Sequence, residues 1–445
     1  MLICGLTARW LSNGIKNREI LARRYSAKGI VMEHEQEIIV GLDIGTTKVC
    51  AVVASVDEGG RFNVLGVGRS PSDGLTRGVV TNIDKTVRSI QSAVSEAESR
   101  SGIKIQSVIV GIAGDHIQSF QSRGVIAISG PENEVKQSDV DRLIEDTKRV
   151  ALPSDRRIIH VIPQEFIIDG QDGVYDPVGM SGVRLEANVH IITGLVTAAQ
   201  NIYKCVQRSG LIVRDMVLEP LASSYAVLEE EEKEVGIALL DVGGGTTDLA
   251  VFEDRTIRHT AVIPFAGNQV TNDIRKGLGV LTEQAEKLKC QHGFSYLSSV
   301  MDDEPITIPG IGGRPPLEID KRLLAQIIQP RMEEIFEMAG AEIKRSGYSR
   351  HLAAGVVLTG GGSLIKGSAE LAREVLGMPV KIGIPSGFNA GLVREIENPI
   401  YATCVGLVLH GLRHKEAVPL TFNNGKDSGS IKKIFGRMKS WFDEL

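Results

Sequence analysis

The stretch that most limits what this chain can fold into is Leu-Leu-Asp-Val-Gly-Gly-Gly-Thr-Thr-Asp at residues 239–248, because a shorter echo, Gly-Leu-Asp-Ile-Gly-Thr-Thr-Lys, stands at residues 41–48. Each copy ends an apolar, β-branched run (37–42 and 235–240) with an aspartate and a glycine turn, and a second strand-like run follows (49–53 and 249–252). The pattern predicts a β-hairpin, twice. Glycine permits positive φ and lets backbone N–H groups approach an anion with no Cβ in the way. Threonine hydroxyls add donors, and aspartates suit a hydrated Mg²⁺. Facing each other, the two turns would clamp a nucleoside triphosphate from both sides. Asp43 and Asp241 would hold the metal through water, while Gly45, Thr46, Thr47, Lys48, Gly243, Gly244, Gly245 and Thr246 form the cradle. A lone Asp-x-Gly turn is common in ordinary hairpins; the duplication and the longer glycine run make this pattern specific.

Composition narrows the classes. A chain of 445 residues is long enough for two or more domains, and 42% hydrophobic with 24% charged residues is ordinary for a soluble globular protein. A formal net charge of -5 supplies no global footprint for nucleic acid. The five cysteines, Cys4, Cys50, Cys205, Cys290 and Cys404, have no metal-ligand spacing and read as small apolar residues in a reducing compartment. No apolar run reaches the roughly 20 residues that span a bilayer.

The paired turns resemble the two phosphate loops of the actin, Hsp70 and sugar-kinase superfamily. Val-Val-Leu-Thr-Gly-Gly-Gly-Ser-Leu-Ile at 356–365 resembles its adenosine loop, which makes Gly360, Gly361 and Gly362 candidate nucleoside contacts. Two further blocks narrow the resemblance to the FtsA family of cell-division proteins over residues 37–412: His-Val-Ile-Pro-Gln-Glu-Phe-Ile-Ile-Asp at 160–169, and Pro-Val-Gly-Met-Ser-Gly-Val-Arg-Leu-Glu-Ala-Asn-Val-His-Ile-Ile at 177–192. The resemblance implies an α/β, actin-like ATPase fold with two duplicated, RNase H-like lobes, 37–111 with 194–235 and 236–265 with 352–412. It adds a small α/β subdomain inserted at 112–193, a further subdomain at 266–351 and a C-terminal amphipathic helix. ATP and Mg²⁺ are the implied cofactors, with weak or doubtful hydrolysis. The implied partners are the carboxy-terminal tail of the tubulin-like protein FtsZ, further copies of the chain in a filament, later division proteins and an anionic membrane. The implied place is the cytoplasmic face of the inner membrane at the division septum.

Taken in order, residues 1–31 carry Arg9, Lys16, Arg18, Arg23, Arg24 and Lys28 against Glu19 alone. That composition suits a transit peptide; we favour a start set too far upstream, with Met32 the true first residue. Residues 70–80 read as loop, 84–101 as a helix stopped by Gly102, and 108–113 as a buried strand. Inside the insert a helix is expected at 137–150 and short strands at 124–128, 158–163, 165–169 and 187–193. The insert holds no carboxylate or histidine cluster, and protein contact is its expected use. His160 and His190, in apolar strands, read as structural.

A helix at 199–209 and a strand at 211–218 lead to Glu-Pro-Leu-Ala-Ser-Ser-Tyr-Ala-Val at 219–227, a helix with proline in its first turn. By resemblance it connects the two halves across the cleft, and Glu219 would act as general base or as positioner of an attacking water; as an ordinary first-turn carboxylate it would only answer the helix dipole. Asp248 could align water or simply close its hairpin. The acidic run 229–234 reads as a solvated linker. A helix at 281–290 puts Glu286 and Lys289 on one face. The resemblance gives them ribose and base, whereas an exposed ion pair is the plain alternative. Residues 320–345 read as a long helix interrupted at Pro330 and Gly340, and its Arg331 is a candidate contact for the acidic FtsZ tail. Tyr-Ala-Thr-Cys-Val-Gly-Leu-Val-Leu at 401–409 resembles a second connecting helix, with Ala402 and Gly406 allowing close packing.

Residues 413–430 read as a flexible linker. In the last fifteen residues, 431–445, Ile434, Phe435, Met438, Trp441 and Phe442 share one side at helical spacing, and Lys432, Lys433, Arg437 and Lys439 take the other. That is the pattern of a helix lying in a membrane interface; docking in a groove of the same chain or of a partner is the alternative. Two other functions compete. A sugar-kinase-like phosphotransferase would need a small-substrate pocket with a base, and a chaperone would need a peptide-binding domain after Leu412.

Overall fold

Two sheets repeat one topology. In the first, the strands run in the order Ile212–Leu218, Ser107–Ile112, Glu37–Ile44, Lys48–Val56, Phe62–Pro71 and Ala390–Gly391. In the second the order is Val380–Ile382, Gly355–Thr359, Ile237–Val242, Thr247–Glu253 and Thr256–Ile263. Each sheet is a three-strand meander extended past its first strand by two parallel strands in succession: Gly41 lies opposite Ile109 in the first sheet, and Leu239 opposite Val357 in the second. The duplication in sequence is therefore a duplication in topology. The computed structural model describes residues 37–56, 62–129, 133–301, 305–310, 312–313 and 315–414. The leader, the bulk of the linker and the amphipathic helix expected at 431–445 lie outside the described residues.

Burial explains why the central strands read as apolar runs. Val49 through Ala54 are fully buried, as expected where helices cover both faces of a sheet. The helix Ile83–Ser101 begins at Asn82, whose side chain accepts from the Lys85 N–H at 3.0 Å, and ends at Gly102 with φ 70°. It lies hard on the third strand: a Cβ at Gly68 would sit 1.9 Å from the Ala93 carbonyl oxygen.

Two helices cross at the centre of the molecule, Glu219–Val227 and Ala402–Arg413. Their closest approach is at Gly406, where a Cβ would fall 1.8 Å from the Ala222 carbonyl oxygen. One apolar core wraps this crossing and takes in Leu42, Val110 and Leu218 from the first lobe and Leu239, Ala250 and Val357 from the second. The insert has its own sheet, ordered Gln118–Ala127, Arg184–Leu195, Arg156–Ile168 and Gln171–Val174. The helix Gln137–Thr147 covers one face of it over Leu143, Ile144, Phe166, Leu185 and Val189.

Several expectations need correction. The stretch 70–80 is not all loop: the third strand runs to Pro71, and Leu75–Thr76 pairs with Val79–Val80, with Leu75 and Val80 buried. The two short strands expected at 158–169 are one, Arg156–Ile168, bulged where Glu165 and Pro163 face consecutive residues of the neighbouring strand. The acidic run is no linker, because Glu230–Val235 is a helix whose Lys233 is buried against the Tyr225 and Phe252 rings. Helix Lys321–Arg345 is continuous through Pro330 and Gly340, held by a buried stripe from Leu324 to Ile343. A hairpin, Pro305–Ile308 with Leu317–Asp320, precedes it. Helix Ala402–Arg413 also outlasts its expected end, and His414 beyond it is buried, its ring stacked on His410 at 4.2 Å. Among the described residues no helix is long and apolar enough to cross a membrane.

Candidate functional site

The two glycine turns meet tip to tip. The first closes through the Gly45 N–H on the Lys48 carbonyl at 3.0 Å, the second through the Gly243 N–H on the Thr246 carbonyl at 2.9 Å. A Cβ at Gly244 would lie 2.2 Å from Thr47 Cγ2, and one at Gly245 would lie 2.5 Å from Thr46 Oγ1. Any side chain at either glycine would thus fill the gap between the lobes. Around this junction is a cleft of about 360 Å³ lined by Asp43, Gly45, Thr46, Thr47, Lys48, Glu219, Asp241, Gly243, Gly244, Gly245, Thr246, Asp248, Glu286, Lys289 and Gly360 to Gly362. Every cleft residue singled out from the sequence is brought together here.

The charges at its floor are crowded. Lys48 Nζ sits 2.5 Å from Asp43 Oδ2, and although burial opposes its charge, the Asp43 carboxylate holds the ammonium pKa above its ordinary value. Asp241 Oδ2 accepts from Ser223 Oγ at 2.8 Å and from Thr403 Oγ1 at 3.2 Å, one hydroxyl from each crossing helix. Burial raises the Asp241 pKa, the two hydroxyls pull it back, and nearby Asp43 adds to the rise. Glu219 opens the first crossing helix and packs on the strand that carries Gly111, whose Cβ would lie 3.0 Å from Glu219 Oε1. Burial, then the charges of Asp43, Asp248 and Asp241, push its carboxyl well above the usual carboxylate range. Asp248 Oδ2 accepts from Thr246 Oγ1 at 3.0 Å, while its Oδ1 is buried with no hydrogen-bond partner. Burial and the like charge of Asp241 raise its pKa to about 7.

This donor set fits a cation with anionic oxygens. Four carboxylates line the cleft with Lys48, and among the described residues Asp248 Oδ1 is buried without a hydrogen-bond partner. No group of three or more His, Cys, Asp or Glu side chains among the described residues is arranged to chelate a metal by itself. Mg²⁺ keeps most of its waters and takes only one or two protein carboxylates plus substrate phosphates, which Asp43 and Asp241 can supply.

The residues expected at the nucleoside come from the second half of the chain. Lys289 is buried, donating to Glu286 Oε2 at 2.7 Å, Thr271 Oγ1 at 2.9 Å and the Gly267 carbonyl at 3.2 Å. The Glu286–Lys289 pair is thus buried at its lysine end, while the Glu286 side chain stays 43% exposed. Gly360, at φ 80°, lies against the end of the second hairpin's first strand, where its Cβ would meet Asp241 Oδ1 at 2.3 Å. Arg331 stands apart on the long helix, its Nε 2.5 Å from Asp273 Oδ2 and its other end on Glu334. His160 Nε2 accepts the Leu218 N–H at 3.0 Å. The sequence reading missed Ser223, Thr403 and the cleft-lining Arg69 and Gly78. The two hydroxyls left a faint signal: each stands in a largely apolar stretch of its helix, one helix per lobe.

Comparison with known proteins agrees with this geometry. The model of the cell division protein FtsA family matches residues 238–406, and that of the SHS2 domain inserted in FtsA matches residues 114–193. The chain is 47% identical over 408 residues to the cell division protein FtsA of Pseudomonas aeruginosa, covering 91% of this chain and 97% of that one. It is 42% identical to that of Escherichia coli strain K12, covering 92% and 97%, and 37% identical to that of Bacillus subtilis, covering 86% and 85%. Among solved structures, the PilM-PilN type IV pilus biogenesis complex matches with a TM-score of 0.63 at 17% identity, over 85% of this chain and 99% of that one. MreB5 of Spiroplasma citri bound to ADP matches with a TM-score of 0.50 at 16% identity, over 83% and 94%. These structural likenesses speak for an actin-like fold, and the sequence relatives for something narrower: this chain belongs to the FtsA family of cell-division proteins.

Proposed function

We propose that this protein binds ATP with Mg²⁺ between its lobes, assembles with copies of itself, and tethers the FtsZ ring to the cytoplasmic face of the inner membrane at the division septum. Later division proteins would be recruited to it there. The observation that carries the nucleotide reading is the tip-to-tip meeting of the two glycine turns above a cluster of carboxylates. A bound Mg²⁺ would neutralise phosphate charge and orient the terminal phosphate. The chain's own part is to position: glycine backbone and threonine hydroxyls cradle the phosphates, Lys48 adds a cation, and Asp241 is held in place by Ser223 and Thr403. Glu286, Lys289 and Gly360 to Gly362 take the nucleoside. Asp248, with one free oxygen and a pKa near neutrality, is the group best able to accept a proton from an attacking water. Glu219, whose carboxyl is pushed well above the usual carboxylate range by burial and the charges around it, then serves as a water positioner.

Membrane attachment falls to residues 431–445. Each cation beside an anionic leaflet contributes about 1 kcal/mol, so Lys432, Lys433, Arg437 and Lys439 with the apolar side give a weak anchor, which self-assembly multiplies. For the FtsZ tail, Arg331 offers a guanidinium already shared between Asp273 and Glu334, and a peptide carboxylate would have to compete with both. Sedimentation with anionic vesicles tests the anchor: deleting residues 431–445 should leave the protein in the supernatant, and co-sedimentation of the truncated chain would end this assignment.

A further inference from the structure

The insert touches both lobes, by different means. It is covalently joined to the first lobe at residues 113–117 and 194–196, where its base shares the main core through Ile117, Ile162 and Ile192. Gly114 marks the entry at φ 125°, a backbone conformation that favours glycine, and its Cβ would meet the Arg77 carbonyl oxygen at 3.0 Å. Arg156 ties entry to exit, donating to the His116 carbonyl at 2.7 Å and to Thr193 Oγ1 at 3.3 Å. This pivot abuts the first phosphate turn. Gly78, whose Cβ would lie 2.8 Å from Gly114 Cα, donates its N–H to Thr46 Oγ1 at 3.1 Å.

The second attachment is not covalent. Strand Thr256–Ile263 is the edge of the second sheet, and an edge strand carries a row of backbone groups without ladder partners. Side chains from the insert take up its carbonyls. Ser119 Oγ donates to the Thr260 carbonyl at 2.9 Å, and Gln121 Nε2 to the Arg258 carbonyl at 3.4 Å. Gln164 Nε2 donates to the Ile257 and Arg258 carbonyls at 2.8 and 3.2 Å, and His190 Nε2 meets Thr260 Oγ1 at 3.1 Å. Gln164 is the bulged residue of its strand, which accounts for its side chain leaving the insert's own register to reach across. The insert's separate apolar core stops short of this seam. At the bonded positions the seam is polar, the kind of contact along which domains slide or open, while Ile257 of the edge strand joins the main core with Ile117 and Ile162. The edge strand is itself laddered to Thr247–Glu253, with Asp248 opposite Val262, so the seam is rigidly linked to the second phosphate turn.

We propose that the insert is a lever that reads the separation of the two phosphate turns, pivoted beside the first and latched to the edge strand that pairs with the one leaving the second. Rotation of one lobe against the other must then swing the insert about Gly114 for as long as the latch holds. The inference rests on the nucleotide reading above and adds to it the device that carries nucleotide state to the insert. A hinge and a two-position contact are the physical warrant such a coupling needs.

Hydrogen–deuterium exchange of the full chain, with and without ATP and Mg²⁺, tests it. In the unaltered protein, nucleotide should protect the two glycine turns and slow exchange at residues 113–117 and 193–196 by about threefold or more. In Gln164→Leu the turns should remain protected while the slowing at the pivot is lost. Should that buried substitution fail to fold, Ser119→Ala with Gln121→Ala removes two bonds at accessible positions and should weaken the pivot response. A pivot that responds equally with the latch cut, or that never responds although the turns are protected, overturns the lever. Unprotected turns in the unaltered chain would overturn the nucleotide reading, and the lever with it.

Discussion

Gly406→Ala asks whether the crossing of the two central helices sets both stability and the cleft. The new Cβ would stand 1.8 Å from the Ala222 carbonyl oxygen and 2.3 Å from its carbon. A comfortable contact requires the helices to part by about 1.5 Å or more. The clashing atoms are backbone, so no rotamer change relieves them. Overpacking of this kind costs about 1–3 kcal/mol, with the upper end expected here. Alanine recovers about 1 kcal/mol of helix propensity relative to glycine, which leaves a net loss of about 2 kcal/mol. The separation also pulls Ser223 and Thr403 off Asp241, which they hold from opposite helices at 2.8 and 3.2 Å. ATP affinity should therefore fall together with stability. Gly340→Ala is the control, since its Cβ meets only a Leu376 methyl at 3.2 Å, and it should be neutral or slightly stabilising. Chemical denaturation of both variants, with ATP titrations alongside, decides the matter. If Gly406→Ala unfolds no more easily than the unaltered chain, the close-crossing argument is wrong.

Other outcomes follow from the same geometry. Gly244→Val should abolish ATP binding with the melting transition little changed, because its side chain enters the gap now occupied by Thr47; retained binding in a titration would count against the facing-turn arrangement. Any ATP turnover should rise with pH through about 7, since Asp248 must lose its proton to act as a base. Asp248→Asn should flatten that profile while leaving binding in place. His190 is held neutral by burial and then by the like charge of His259, its pKa lowered from 6.5 to about 4. The unfolded chain therefore binds the extra proton first. The stability this provides is complete above pH 6.5 and is lost as pH falls toward 4, by on the order of 3 kcal/mol. Denaturation midpoints at neutral and mildly acid pH should show the drop, and His190→Gln should reduce it.

What the sequence made legible was whatever local chemistry dictates. The two Asp-x-Gly turns, the proline-led helix at Glu219, the glycine that stops the first long helix, and the Glu286–Lys289 spacing all announce themselves within a few residues. The failures share a cause, namely that tertiary contacts overruled local composition. The glutamates of the acidic run are largely solvated, as expected, but the run reads as a linker until its helix is seen anchored by Lys233, buried against two aromatic rings. Pro330 and Gly340 read as breaks until the stripe from Leu324 to Ile343 is seen packed along one side. The bulge that aims Gln164 at the second lobe depends on the pairing of strands far apart in sequence and leaves no local trace. Ser223 and Thr403 were likewise invisible as a pair, because residues 180 positions apart meet only on Asp241 once both helices cross.

The central claim is that the cleft between the lobes is an ATP site that uses magnesium. An equilibrium titration of the purified full chain with ATP, in the presence and absence of Mg²⁺, tests it most directly. The account predicts saturable binding that Mg²⁺ strengthens and that Gly244→Val abolishes. Absence of binding with magnesium supplied, or binding indifferent to that substitution, would contradict it.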